Sequence, residues 1–306
     1  MKTRKIVLLT ANAILLVVGI IQIIVNTRNT VKTFSFSEEP DQIVIEKSDG
    51  DLNIVFENNK WFIGSEKFEA TQSNVDSMIE YAQSIKALDK VASLSNAASV
   101  SKYEFDQGNA IKVTVSKGGK ELRTFTLGKD ATTGIQCYAT INGTNDIYLI
   151  DRDYRYIFDK TVDQLRTKTV YQIDSAAITS VTVTVPGEET WAVSRTGEAD
   201  NLVWNVSGAN ITLDSSKAAE WLNSFNSVTT TKWYGKTDDM GGDAYVAVQI
   251  GTTSGVINLE IYSVPSEEES NPTPLYYAKC NKSPYWFEIP SYNMSKFQKT
   301  PEDLQK

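Results

Sequence analysis

The chain has 306 residues with 38 acidic and 30 basic side chains, a formal net charge of −8, two cysteines and no histidine. The acidic balance argues against nucleic acid and anionic lipid as charge-matched ligands. Without imidazole there is no Ser-His-Asp or Cys-His nucleophile system and no usual zinc ligand set, and two thiols are too few for a disulfide scaffold.

Ile6 to Val25 reads IVLLTANAILLVVGIIQIIV, uncharged throughout, with Lys2, Arg4 and Lys5 directly before it. Twenty helical residues span about 30 Å, the hydrocarbon thickness of a bilayer, so the run is expected to be a transmembrane anchor. A cleaved signal peptide needs a shorter apolar core and a small-x-small site, which Ile21 to Asn26 does not offer. Arg28 and Lys32 follow the run. The basic count favours the leading side, which puts the N-terminus in the cytoplasm and the bulk of a single-pass chain outside the plasma membrane. Past residue 25 the chain keeps 27 basic and 38 acidic groups, net −11.

Ile43, Ile45, Leu52, Ile54 and Phe56 alternate about a Ser-Asp-Gly-Asp turn, which predicts a hairpin, and Lys60 to Gly64 adds a third strand. Val75, Met78, Ile79, Ala82 and Ile85 fall on one helical face, predicting a helix from Ser73 to Lys86 with Thr71 or Ser73 as its cap. Ala110 to Ser116 and Leu122 to Leu127 flank Lys117-Gly118-Gly119-Lys120, a second hairpin. Gln136 to Ile141 and Ile147 to Ile150 flank Asn142-Gly143, the strongest hairpin signal in the chain. Asp151 to Leu165 is expected to form one or two short helices.

The same order then recurs. Val181, Val183 and Val185 lead into Pro186-Gly187, and Trp191 to Val193 returns. Ala218, Trp221, Leu222, Phe225 and Val228, on a helix from Ser215 to Asn226 capped by Asp214, each stand 143 residues after Val75, Met78, Ile79, Ala82 and Ile85. Trp204 follows Trp61 at the same offset. Ala244 to Ile261 matches Ala110 to Leu127 at 134, and Phe297 to Leu304 matches Phe158 to Leu165 at 139. The period is too long for a solenoid, so the expectation is a tandem duplication. The fold class is α+β: an N-terminal transmembrane helix followed by two repeated modules, each a mainly antiparallel sheet with a packed helix. The expected divisions are 1–30 for the cytoplasmic tip and anchor, 31–168 for the first repeat and 169–306 for the second. The rise in offset marks an insertion near Val264 to Pro274, a charged, Pro- and Ser-rich stretch expected to be a mobile loop.

Leu127-Gly128-Lys129, Gly134, Tyr138, Asn142-Gly143, Ile147-Tyr148-Leu149-Ile150 and Lys160-Thr161-Val162-Asp163-Gln164-Leu165-Arg166 resemble a family catalogued as domain of unknown function 4340, found in bacterial membrane-anchored proteins. The second repeat departs from it, with Gln305 in the place of Arg166 and no Leu-Gly-Lys. The resemblance implies an accessory protein, often encoded beside ATP-binding cassette (ABC) systems related to gliding-motility exporters. It implies no catalytic residues.

Each constellation has a functional and a plain reading. Gly128 to Gly134 lacks the order of a phosphate loop and is expected to join two strands. Asp238, Asp239 and Asp243 lack calcium-loop spacing and are expected in a surface turn. Asp151, Asp153 and Asp159 have the residue type of a glycosidase pair but sit where a helix start favours acids. The Trp61 and Trp204 pair is expected in the cores. Tyr154, Tyr156, Trp233 and Tyr234 lie outside the alternating patterns and are the contact-patch candidates. Cys137 and Cys280 are expected as free, buried thiols on separate sheets. No catalytic residue, metal site or cofactor is assigned. The reading is a non-catalytic, membrane-anchored accessory or scaffold subunit of an ABC-type transport assembly, with protein partners and no nucleic acid. Its rival is a cell-envelope carbohydrate-binding protein or carboxylate-dependent hydrolase.

Overall fold

The computed structural model describes residues 14–22, 31–106, 108–197, 201–266 and 273–306, in two compact units, Met1–Arg166 and Thr167–Lys306. Of the expected anchor, residues 14–22 form a helix, α1, whose aliphatic side chains are exposed. Residues 6–13 and 23–25 of that span lie outside the described residues, as do residues 267–272 of the expected loop insertion. Among the described residues no helix is long and apolar enough to cross a membrane.

In the first unit, β1 (Lys32–Ser35), β2 (Gln42–Glu46), β3 (Leu52–Glu57), β4 (Lys60–Ile63) and β5 (Phe68–Glu69) precede helix α2 (Gln72–Gln83). Then come β6 (Ser84–Ser93), α3 (Ala97–Lys102), β7 (Ile111–Lys117), β8 (Lys120–Asp130), β9 (Cys137–Ile141) and β10 (Asp146–Ile150). Two short helices, α4 (Tyr154–Phe158) and α5 (Val162–Leu165), close the unit. All ten strands form one sheet in the order β1-β6-β10-β9-β8-β7-β2-β3-β4-β5. Successive side chains of a strand point to opposite faces, so Ile43 and Ile45 of β2 and Ile111, Val113 and Val115 of β7 share one buried face. Val75, Met78, Ile79 and Ala82 of α2 belong to the same core, with Phe125, Tyr154, Phe158 and Leu165. Asn142 and Gly143 have φ of +53° and +67°, the left-handed pair that a tight β9–β10 turn demands.

Helix α2 stops at Gln83, three residues short of the expected Lys86, and its cause is tertiary. The Tyr154 hydroxyl donates to Tyr81 O and Ser84 O at 3.2 Å each, and Phe36 N–H donates to Gln83 O at 3.1 Å. These partners take the last carbonyls, and the chain turns directly into β6. Ile85, which the periodicity counts on the helix face, is buried from that strand instead.

The second unit comprises β11 (Thr169–Gln172), β12 (Ile178–Thr184), β13 (Trp191–Thr196), β14 (Val203–Ser207), α6 (Ser215–Asn223) and β15 (Ser227–Thr229). It continues with β16 (Asp243–Thr252), β17 (Gly255–Val264), β18 (Leu275–Cys280) and β19 (Ser283–Ile289), then two 3₁₀ turns, Ser291–Lys296 and Pro301–Leu304. Seven strands form a sheet in the order β14-β13-β12-β16-β17-β18-β19, and β11 pairs with β15 separately. Asp214 caps α6, its carboxylate accepting from Ser216 and Lys217 N–H, and those bonds hold it below the usual carboxylate range. Trp221 stacks on Trp191 at 4.9 Å and meets Phe225 edge-on at 5.3 Å; Phe225 in turn meets Phe297 at 5.6 Å. Trp61 is buried, as expected, but Trp204 is only half-buried against its core, because its strand lies at the sheet edge whereas β4 has β5 beside it.

Candidate functional site

Of the three acids expected at a helix start only Asp153 stands there; Asp159 follows the helix, and Asp151 lies before it, 3.8 Å from the Arg152 guanidinium. Asp153 precedes α4 and its Oδ1 accepts Tyr156 N–H at 3.0 Å, the capping role that its position calls for. Asp159 follows α4 and pairs with Lys47 at 3.4 Å and Arg155 at 3.5 Å. The Arg155 guanidinium also donates to Asn109 O and Gly128 O, which ties α4 to the β8 strand. The structure adds an acid that sequence spacing could not bring in: Asp130, at the end of β8. Burial raises its pKa first, Asp153, Asp159 and Glu104 raise it further, and Arg155 opposes them. A carboxyl shifted upward beside other acids is the kind of arrangement a general acid uses. Here burial is the largest cause, and two of the neighbours, Asp153 and Asp159, are already engaged in capping and ion pairs. Among the described residues no group of three or more His, Cys, Asp or Glu is arranged to hold a metal ion.

The two glycine-bearing loops are structural. Gly128 lies within β8, and a Cβ there would stand 2.3 Å from Tyr103 O and 2.7 Å from the Phe105 ring. Its bareness admits the Tyr103–Phe105 segment, whose Tyr103 O accepts Lys129 N–H at 2.9 Å, and the segment ending at Gly134 joins β8 to β9. In the Asp238 to Asp243 stretch, Asp238 accepts Gly235 N–H and Asp239 accepts Gly241 N–H, the bonds of a surface turn.

The four aromatic candidates divide. Tyr154 is fully buried, stacked on Phe158 and hydrogen-bonded to the end of α2, so it is a core residue and not a contact residue. Its spacing of one helical turn from Phe158 was the available signal. Trp233 and Tyr234 lie on an extended segment and therefore face opposite ways. Trp233 packs edge-on to Phe287 and donates its indole N–H to Thr167 O, while Tyr234 meets Tyr277 and donates to Glu288. Tyr156 alone of the four is largely exposed, at 69 %, with the Lys160 ammonium 4.0 Å above its ring.

Two hollows on the second unit escaped the sequence reading. One, of about 360 Å³, is lined by Lys217, Glu220, Trp221, Lys296, Lys299 and Asp303 among others. Lys296 is its most perturbed group: burial pushes its pKa down to about 8. A lysine so placed has the makings of an amine nucleophile. Its ammonium, however, donates to Ser224 O and Ser227 O at 2.8 and 2.9 Å, beside the Phe225 and Phe297 rings, and closes the end of α6. The negative pole of a helix C-terminus is its counter-charge. Nothing in the local sequence pattern marks Lys296. The other hollow, about 480 Å³, brings Glu188, Glu189 and Glu302 beside Trp191 and Tyr245. Its acids come from two places in the second unit, the β12–β13 turn and the last 3₁₀ turn, and its aromatic walls are partly engaged, Trp191 by Trp221 and the Tyr245 hydroxyl by Gln298.

Cys137 and Cys280 are free and buried. Burial pushes the Cys137 thiol up to about 12 and raises that of Cys280 as well. Native protein at pH 8 is therefore expected to react with a thiol reagent at neither position within minutes, and denatured protein without reductant is expected to show two thiols. Fast native labelling would contradict the burial.

A family model described as Domain of unknown function (DUF4340) matches residues 61–245, a stretch that crosses from the first unit into the second. No curated protein matches the chain, and no solved structure does.

Proposed function

Given that the chain belongs to the DUF4340 family, whose description assigns no chemistry, we propose that it is a membrane-anchored, extracytoplasmic accessory subunit of an ABC-type transport assembly and acts by protein contact. The observation that carries the anchor is α1, where seven aliphatic side chains between Ile14 and Ile21 are 45–67 % exposed. In water each such side chain forgoes up to about 1.5–3 kcal/mol of burial; in a bilayer it does not. The flanking lysines and arginines direct the body outside, and the net negative body suits water. The transport role rests on what the family resemblance implies. Reporter fusions after Lys306 are expected to be active only outside the cytoplasm, and the full chain purified from membranes is expected to bring transporter subunits with it. An active cytoplasmic reporter would defeat the reading.

The two units are, on the same proposal, tandem copies of one module. The order β10-β9-β8-β7-β2-β3-β4 reads like β19-β18-β17-β16-β12-β13-β14, and β1–β6 reads like β11–β15. Single hydrogen bonds correspond too: Thr71 N–H to Leu165 O with Asp214 N–H to Leu304 O, and Phe36 N–H to Gln83 O with Ile173 N–H to Asn226 O. The carbonyls of Tyr81 and Ser84 are held by the Tyr154 hydroxyl, and those of Ser224 and Ser227, 143 residues on, by the Lys296 ammonium. One capping task is thus met by two different side chains.

A second reading, an envelope carbohydrate-binding protein or carboxylate-dependent hydrolase, has one observation in its favour: the hollow with Glu188, Glu189 and Glu302 beside Trp191 and Tyr245. A glycan screen of the full chain, repeated with each glutamate changed to glutamine, separates the two readings. Turnover abolished by one such change would replace the scaffold reading.

A further inference from the structure

Arg123 stands on β8 in the same row as Phe125 and Leu127, which face the core of the first unit. It is 3 % exposed, yet among the described residues no carboxylate pairs with its guanidinium. Nη1 donates to Asn142 Oδ1 at 3.2 Å, and the buried Nε has no partner. Burial holds the group's pKa below the ordinary arginine value. A buried charge is ordinarily paired, because an unpaired one is costly to keep from water. In the second unit the place 134 residues on, the offset that relates β8 to β17, is Ile257, 1 % exposed. Packing at this position of the sheet therefore does not call for a cation. What closes over the guanidinium is the segment that follows the anchor run. The Phe36 and Phe34 ring centroids lie 5.4 and 6.0 Å from Arg123 Cζ, and both rings are only partly buried. Phe34 also has the Lys32 ammonium 4.5 Å from its centroid, so two like charges share one ring. The attachment of this segment is slight. β1 is the edge strand of its sheet and pairs with β6 alone, from Lys32↔Ala87 to Ser35↔Ser84. Past it, Phe36 N–H donates to Gln83 O, and Glu38 meets Lys120 at 3.8 Å on the surface. Firm attachment begins at Pro40, which is buried, and at Asp41, whose N–H donates to Ser116 O and whose carboxylate accepts Gly118 N–H.

We propose that residues 32–39 are a releasable strap that lifts from β6 as a whole, hinges at Pro40, and is kept near its point of release by the unpaired charge of Arg123. Closed, the strap gains ladder hydrogen bonds and the burial of Phe34 and Phe36, but it seals an ion away from water. Open, the guanidinium is hydrated and Gln83 O exchanges Phe36 N–H for water. The two states thus lie closer in free energy than they would with an apolar residue under the strap, and the segment opens locally without the rest of the sheet. On the reading that the run before it crosses the membrane, release lengthens the tether between anchor and body. The eight steps from Lys32 to Pro40 add at most about 28 Å of reach. That use rests on the proposed anchor; the strap itself does not.

The test is hydrogen–deuterium exchange of the full chain in detergent micelles, read by mass spectrometry. In the wild type, peptides covering 32–39 and their partners at 84–87 are expected to exchange together, well before those of β2 and β7. Arg123→Met keeps most of the bulk and removes the charge. It is expected to slow both segments at least tenfold, about 1.4 kcal/mol, and to leave β16 and β17 unchanged. Exchange of 32–39 that is no slower in Arg123→Met would overturn the proposal. So would slowing shared equally by every strand of the first unit, because the charge would then bear on the whole sheet and not on the strap. Should Arg123→Met fail to fold, Asn142→Asp decides in its place. A carboxylate on the side chain that now accepts from Arg123 pairs the charge, and the same two segments are expected to slow; unslowed exchange there overturns the proposal equally. Reporter fusions read the anchor and exchange reads the strap, so either can fail alone.

Discussion

Trp221→Ala is expected to destabilise the second unit by about 3–5 kcal/mol, the range for removing a large aromatic from a packed core. Trp221 is 4 % exposed and carries three kinds of contact at once. Its ring stacks on Trp191 with planes 19° apart, its edge meets Phe225, and its indole N–H donates to Lys296 O at 2.9 Å. Alanine removes the ring, enlarges the hollow that Trp221 lines, and strips Lys296 O of its donor. For a unit of this size the loss corresponds to a fall in Tm of roughly 10–20 °C. Tyr292→Ala is the control, because Tyr292 is 76 % exposed and its loss should cost less than about 0.5 kcal/mol. Urea unfolding followed by circular dichroism decides the matter. A shift for Trp221→Ala no larger than the control would mean the aromatic cluster does not hold this unit together.

Lys296→Met is expected to change how stability depends on pH. The ordinary lysine value of 10.5 falls to about 8 in the folded chain because the amine is buried. Between those two values the unfolded chain binds a proton that the folded chain does not, so the slope favours folding as pH rises. Below about pH 8 both forms are protonated and the full penalty of the buried ammonium is present. Above about pH 10.5 both are neutral and the penalty is gone. One pKa unit is worth about 1.4 kcal/mol, so wild type should gain about 2–3 kcal/mol on Lys296→Met across this window. The thiols and tyrosines that also titrate there are common to both proteins and cancel in the difference. At neutral pH the variant loses two hydrogen bonds but also loses the buried charge, and the two effects offset. At pH 10.5 only the loss remains, and Ser224 O and Ser227 O are left without the amine. Parallel stability curves from pH 7 to 10.5 would show that the amine is not buried as described.

Features settled within a few residues were legible in the chain before folding. Gly118-Gly119 and Asn142-Gly143 announced their hairpins because a tight turn needs φ above zero at those positions, and few residues supply it. The alternation of Ile43 and Ile45 and the spacing of Val75, Met78, Ile79 and Ala82 named buried faces, because burial follows the period of the element. Asp153 and Asp214 were legible as helix caps for the same local reason. Tertiary structure alone decided what depends on distant partners. It ended α2 at Gln83 with a tyrosine from seventy residues later, drew the two-residue β5 against β4, and turned Trp233 inward. It also brought the Tyr154 hydroxyl to Tyr81 O and Ser84 O and the Lys296 ammonium to Ser224 O and Ser227 O, contacts no local pattern carries, since each joins residues about seventy positions apart. The edge at β14 belongs to both levels. Its uncharged residues can be read from the sequence, but that no strand among the described residues covers them is a property of the sheet.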